Sequence, residues 1–325
     1  MTDSNVAAHY LAPAEASLRS AGLAVTVVVL PPGESSKTLA RAAELYDRFL
    51  NGGIDRGSVV VALGGGVVTD LAGFAAATYM RGVAWVAVST TLLGQVDASV
   101  GGKTAVDHPQ CKNLIGAFHQ PATILADVGT LATLPEEELR TGLAEVVKHA
   151  VIRDAELFDA LEREADAILT RDAAVLERLV ARNVRIKADV VMADERESGL
   201  RRILNYGHTI GHAIESLAMA SGDVAMTHGR AVAVGMMAEA QMAADRGLVG
   251  RAVVDRQRRM LERFDLPVRP APGLDLDRCL AFMRHDKKTE AGQLRFVLPE
   301  AIGSVRVVDD ATENEVRKAL LALGS

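Results

Sequence analysis

Residues 58–70 read SVVVALGGGVVTD, and this short stretch constrains the fold more than any other part of the chain. A β-branched run that is apolar at every position belongs to a strand covered on both faces, not to one alternating between core and water. Gly64, Gly65 and Gly66 end the run, and Val67-Val68-Thr69-Asp70 opens a helix. Glycines at a strand-to-helix turn let the backbone approach an anion, and the helix N-terminus favours negative charge. The spacing is not the GxGxxG dinucleotide fingerprint, and it also fits a tight turn with no ligand.

The surrounding pattern extends this reading. Ala24 to Leu30 is a second buried strand, and Val83 to Val88 and Ala122 to Leu125 are further candidates. Ser36 to Leu50 has helical spacing, with Leu39, Ala43, Tyr46 and Leu50 on one face. Alternating strands and helices predict a Rossmann-like, doubly wound parallel sheet. After Leu134-Pro135 helical periods dominate: 136–149, 155–165, 173–190, 201–217, 228–246, 253–264 and 276–285, with one strand at Leu294 to Leu298. The expected class is therefore α/β, with residues 1–133 forming the sheet domain and 134–325 a mainly α-helical one. A junction of this kind is a common place for a ligand cleft.

Composition excludes several classes. A net charge of −6 and a pI near 5.8 argue against nucleic acid or an anionic membrane as partner. Cys111 and Cys279 are too few for a disulfide framework or a cysteine-rich zinc site. The first residues carry no basic start or apolar h-region, and no run is long enough to span a bilayer, so the expected location is the cytoplasm. The 36 basic residues include only eight lysines. A chain that uses arginine as its routine surface cation retains lysine where a compact ammonium is needed. Apart from Lys318, they fall in the segments that also carry the other polar motifs.

Three such segments stand out. Residues 95–113, QVDASVGGKTAVDHPQCKN, read as a polar loop gathering Asp97, Lys103, Asp107, His108, Lys112 and Asn113 around paired glycines, which suits an anion. On the expected helix 201–217, Arg201, Asn205, His208 and His212 fall at i, i+4, i+7 and i+11, one stripe. His228 opens another helix, and Glu145 and Lys148 lie at i, i+3 on an earlier one, beside His149. Two histidines and a carboxylate leave coordination positions open, as catalytic zinc or a similar ion requires. The residues alone leave the ligand pair open, His208 with His212 being the other assignment. The third segment is His285-Asp286-Lys287-Lys288, and cations at a helix end also serve its dipole.

These segments carry a resemblance. PPGESSKT (31–38), LGGGVVTDLAGF (63–74), ATYMRGV (77–83), the stretch 89–121, TLATLPEEELRTGLAEVVKH (130–149), DERESGLRRILNYGHTIGHAIE (194–215), THGRAVAVGM (227–236) and HDKKTEAGQLRFVLP (285–299) resemble, in order, the 3-dehydroquinate synthases among the sugar-phosphate cyclases. The resemblance implies conversion of 3-deoxy-D-arabino-heptulosonate 7-phosphate to 3-dehydroquinate and phosphate, with NAD oxidised and re-reduced in each turnover. It implies zinc (or cobalt) on Glu145, His208 and His228. It places NAD on Glu34, Lys37, Gly66, Val67, Val68, Thr69, Asp70, Thr90, Thr91, Thr130 and Thr133, with Lys103 and Lys112 close to cofactor and substrate. Arg201 and Lys187 would take the substrate carboxylate. Lys103, Asn113, Asn205, His212 and Lys287 (in preference to Lys288) would surround the phosphate. Asp97 and Lys148 would meet the ring hydroxyls, and His212 is the candidate proton shuttle. Arg81 would reach the neighbouring site of a homodimer. Two departures are visible: Thr69 stands where glycine is common, and the chain starts at the end of the family's first nucleotide-domain strand, without the roughly 35 residues before it. The other activities compatible with the domain plan are a 2-epi-5-epi-valiolone synthase-like cyclase and a glycerol dehydrogenase-like, metal-dependent alcohol dehydrogenase.

Overall fold

The computed structural model describes residues 1–109, 111–197, 199–223, 225–286 and 294–324. The chain divides into two compact units, Met1–Pro135 and Glu136–Ser325. The first unit runs β1 (Thr2–Asp3), α1 (Ser4–Ser20), β2 (Val29–Leu30), α2 (Leu39–Asn51), β3 (Val59–Gly64), α3 (Gly66–Thr78), β4 (Ala84–Ser89), β5 (Lys103–His108), β6 (Cys111–Phe118) and β7 (Thr123–Ala126). Five of these strands form a parallel sheet in the order β2-β1-β3-β4-β7. The expected α/β class with a parallel sheet is what the chain adopts.

The sheet core is Val60, Ala62, Trp85 and Ala87, covered by Val68, Leu71, Ala72 and Ala75 of α3 and by Leu45 and Phe49 of α2. Helix α3 is apolar nearly all round and correspondingly buried. Its Gly73 lies so close to β5 that an added Cβ would sit 2.4 Å from Thr104 Cγ2. Helix α2 turns a different face inward than its spacing suggested. Ala42, Leu45 and Phe49 are buried, whereas Leu39 and Leu50 are 49% and 63% exposed. Two apolar faces compete in that segment, and the one carrying Leu45 and Phe49 is the one that packs into the sheet core.

Residues 95–113 are not a polar loop. They comprise a π-helical turn, Gly94–Ala98, and then most of the antiparallel β5–β6 hairpin. The π-turn is closed by Ser99, whose N–H donates to Gly94 O at 3.3 Å and whose hydroxyl donates to the same oxygen at 2.7 Å.

The second unit runs α4 (Glu136–Arg153), α5 (Ala155–Leu169), α6 (Ala173–Ala193), α7 (His208–Ala220), α8 (His228–Asp245), α9 (Arg251–Arg263), α10 (Leu276–Asp286), β8 (Phe296–Ala301), β9 (Ser304–Val308) and α11 (Glu313–Gly324). Strand β9, SVRVV, pairs antiparallel with β8 and is a strand beyond the one expected in this unit. Helices α4 and α8 are buried along most of their length. Glycines set how closely α4, α7 and α8 approach. A Cβ on Gly229 would lie 2.5 Å from Thr141 Cα of α4, and one on Gly235 would lie 1.9 Å from Gly207 O at the start of α7.

The expected helix over 201–217 is broken. Leu200–Asn205 is a 3₁₀ turn, Tyr206 is extended at ψ 123°, and Gly207 takes φ +77° before α7 begins at His208. Only glycine adopts that left-handed corner cheaply. Arg201 and Asn205 therefore do not share a helical stripe with His208 and His212. No helix among the described residues is long and apolar enough to cross a membrane.

Candidate active site

In the second unit the glycine-spaced helices bring three side chains together. Glu145 from the middle of α4 is fully buried. His208 opens α7 and His228 opens α8. His208 Nε2 lies 3.5 Å and His228 Nε2 3.4 Å from the same oxygen, Oε1 of Glu145. One donor atom from each residue lies within 4.8 Å of the other two. His212 stacks edge-on to His208 at a centroid distance of 5.2 Å but stays exposed and outside that cluster. The geometry thus favours His208 with His228 over the HxxxH pair.

The outer nitrogens of both histidines are engaged. His208 Nδ1–H donates to Tyr206 O at 3.1 Å, and His228 Nδ1–H donates to Glu215 Oε2 at 3.0 Å. These bonds direct both Nε2 atoms inward. Burial pulls His208 down to about 3, a neutral imidazole at any ordinary pH. Burial acts the same way on His228, but Glu145 and Glu215 on either side outweigh it and push that ring up to about 10. A centre with this charge field and two aligned imidazole nitrogens fits a divalent cation. Lys148 is buried against Glu145 Oε2. His149 lies on the same helix, its Nδ1 donating to Asn183 Oδ1 at 3.1 Å.

In the same unit, Arg201 and Lys187 are both buried. The Arg201 guanidinium donates to Glu195 O, and its backbone N–H donates to Asp194 Oδ2 at 3.0 Å. Asn205 Nδ2 donates to Glu197 Oε1 at 2.7 Å. Lys287 lies outside the described residues.

In the first unit, the glycine turn joins β3 to α3 with no side chain capping the helix. Its first amides are thereby left for an anion. A Cβ on Gly65 would lie 2.8 Å from Thr91 Cγ2, so the turn and the end of β4 are in close contact. The hydroxyls of Ser89 and Thr90 are buried with no hydrogen-bond partner among the described residues, which suits a bound polar group. Gln95 Nε2 ties the strand ends together, donating to Ser89 O, Asp127 O and Thr130 Oγ1 at 3.1, 2.9 and 3.2 Å. The Thr133 hydroxyl is 2.7 Å from Tyr10 Oη.

Lys37 gathers a second group. Its ammonium donates to Asp70 Oδ2 at 2.6 Å and to Asn113 Oδ1, with Glu34 at 3.8 Å. Burial opposes its charge, but Asp70 and Glu34 hold it above the ordinary lysine value. Lys112 reaches Glu34 at 4.0 Å, and Asn113, at φ +55°, is fixed by its N–H to Asp107 Oδ1 at 2.7 Å. With Oδ1 facing Lys37, the Asn113 amide nitrogen remains a donor. Asp97 sits in the π-turn, Lys103 is exposed at the start of β5, and Thr69 is buried in the first turn of α3. Met80 and Arg81 are consecutive left-handed residues, φ +51° and +68°, and both are exposed.

Glu215, Tyr206 and Gln95 make contacts in these clusters that the sequence reading missed. For Glu215 a signal existed: it follows His208 by seven residues and His212 by three, on one face of α7.

The parallel sheet with its glycine turn, followed by a mainly helical unit, is the architecture of the sugar-phosphate cyclases to which the chain is similar. The 2-epi-5-epi-valiolone synthase of Streptomyces hygroscopicus subsp. jinggangensis, with NAD+ and Zn2+ bound, superposes with a TM-score of 0.93 at 32% identity, over 99% of this chain and 89% of that one. A 2-deoxy-scyllo-inosose synthase complexed with carbaglucose-6-phosphate, NAD+ and Co2+ superposes with a TM-score of 0.87 at 28% identity, over 98% and 88%. Family models described as 3-dehydroquinate synthase N-terminal and C-terminal match residues 27–141 and 142–289. The 3-dehydroquinate synthase of Symbiobacterium thermophilum is 50% identical over 99% of this chain and 89% of its own length. The chain belongs to the 3-dehydroquinate synthase family.

Proposed function

We infer that this chain is a 3-dehydroquinate synthase, a carbon–oxygen lyase that closes 3-deoxy-D-arabino-heptulosonate 7-phosphate to 3-dehydroquinate with loss of phosphate. The observation that carries the reading is the Glu145–His208–His228 centre, built on a buried carboxylate, in a chain of this family. Zinc or cobalt held there would acidify a coordinated hydroxyl. NAD on Glu34, Lys37, Gly66 to Asp70, Thr90, Thr91, Thr130 and Thr133, with Lys103 and Lys112 beside it, would accept a hydride and return it within the same turnover.

The chain's own residues bind and orient. Arg201 offers a guanidinium fork to the substrate carboxylate, with Lys187 as second cation. Lys103, Asn113, Asn205, His212 and Lys287 surround the phosphate, where point charges and amide donors suffice. Holding both anionic ends of the substrate fixes its reacting carbons. Lys148 and Asp97 meet the ring hydroxyls, and His212 carries a proton to or from the substrate. Arg81, exposed on a strained left-handed corner, reaches the phosphate of a neighbouring copy in a homodimer. The sheet unit serves the cofactor, and the helical unit holds the metal and most of the substrate contacts.

The test is phosphate release from the heptulosonate phosphate, dependent on NAD and abolished by chelation, without net NADH. Faster turnover of sedoheptulose 7-phosphate would assign a different cyclase, and accumulating NADH would assign a dehydrogenase.

A further inference from the structure

The two histidines of the Glu145 centre are held from behind by unlike groups. Behind His208 stands a backbone carbonyl, Tyr206 O, which any residue at 206 would supply. Behind His228 stands a side chain, Glu215, buried on α7 and accepting from Nδ1 at 3.0 Å. His228 comes from a different helix, α8, so this bond crosses between elements. With this bond made, the His228 ring turns Nε2 toward Glu145.

We propose that Glu215 is the positioning residue of the metal centre: by accepting the Nδ1–H of His228 it fixes the tautomer and rotation that aim Nε2 at the ion. The inference rests on the metal reading above and adds a residue that never touches ion or substrate. Three observations support it. The Nδ1 bond leaves Nε2 as the only nitrogen able to face Glu145 Oε1, 3.4 Å away. His228 is the first residue of α8, where its backbone is held by Thr227, whose hydroxyl donates to Glu137 Oε1 at 3.1 Å, and by the close packing of Gly229 on Thr141. The backbone is thus anchored while the ring's rotation about its side-chain bonds is left to Glu215. A carboxylate behind a ligating imidazole also raises the basicity of the inward nitrogen.

The test is cobalt affinity of the metal-stripped full chain, by competition with a chromophoric chelator, together with the visible spectrum of the cobalt form. Glu215→Ala is expected to weaken cobalt binding about 10- to 100-fold and to alter the spectrum. Glu215→Gln, whose amide oxygen still accepts from Nδ1–H without the charge, is expected to fall between the two. Far-UV circular dichroism and melting of the metal-free proteins report any purely structural loss, which would leave cobalt affinity and spectrum unmoved. Should Glu215→Ala not fold, Glu215→Asp, which withdraws the acceptor by one methylene, must show the same weakening. Affinity in the alanine variant within about threefold of wild type, or a glutamine variant no better than alanine, overturns the proposal. Failure of the wild-type chain to take up stoichiometric cobalt would overturn the metal reading itself, and this proposal with it.

Discussion

Gly235→Ala tests whether the close approach of α7 and α8 is what presents His208 to Glu145. An alanine Cβ at 235 would lie 1.9 Å from Gly207 O, whereas real Cβ contacts essentially never fall under 3.0 Å. The obstruction is backbone, so no side-chain rotation relieves it. The two helices must separate by at least 1.1 Å (3.0 − 1.9) at the residue preceding His208. Overpacking of this kind costs about 1–3 kcal/mol. In a unit of this length that lowers the melting temperature by roughly 2–12 °C. Displacement of a ligating group by about 1 Å costs on the order of 100-fold in turnover. Calorimetry, chelator competition and phosphate release read the three effects. Gly250→Ala is the control, because nothing lies within 4 Å of its Cβ, and it should stay within about 0.5 kcal/mol of wild type. A Gly235→Ala protein that melts, binds metal and turns over like that control would refute the claim that this contact sets the geometry.

Further outcomes follow from other contacts. Glu239→Ala leaves the buried Gly207 N–H without the carboxylate that accepts from it at 2.8 Å; a loss of about 1–3 kcal/mol in urea unfolding is expected. Arg201→Lys keeps the charge and loses the fork, so kcat/KM should fall about 10- to 100-fold while cobalt affinity stays put. Glu315 bridges α8 and α11 through Arg246 at 2.7 Å and closes a capping box with Thr312. The hydrogen bonds from Arg246 hold its carboxyl down at about 2, against an ordinary 4.5. Because the folded value is the lower one, the bridge stabilises above pH 4.5 and fades as the pH falls toward 2. The gap in unfolding midpoint between wild type and Glu315→Gln should be largest at pH 7 and narrow steadily below pH 5; a constant gap would contradict this.

What could be read in the sequence followed the strength of the local signal. The strand–turn–helix of 58–78 announced itself because period and glycine agree there. Helices α4 to α6 and α8 to α10 were legible for the same reason. The hairpin 103–118 was not, because charged residues and glycines interrupt its alternation. The inward face of α2 was misjudged because Leu39 and Leu50 outrank Ala42 by hydropathy alone, while the pairing of Leu45 with Phe49 is a property of the sheet beneath them. The break at Gly207 is a tertiary effect: Val232 and Met236 of α8 leave no room there for a side chain. Glu145, His208 and His228 lie far apart in the chain, and only the glycine-governed spacing of three helices makes them neighbours.

The turn at Gly94–Ala98 winds one residue more than an α-helix would. A single-residue deletion there would therefore cost no loop and break no strand. It would rewind the segment to ordinary pitch and swing Asp97 by about 100° around its axis. Chain length at this spot is thus an adjustable dial for the Asp97 carboxylate and for Gln95, whose amide ties the strand ends together.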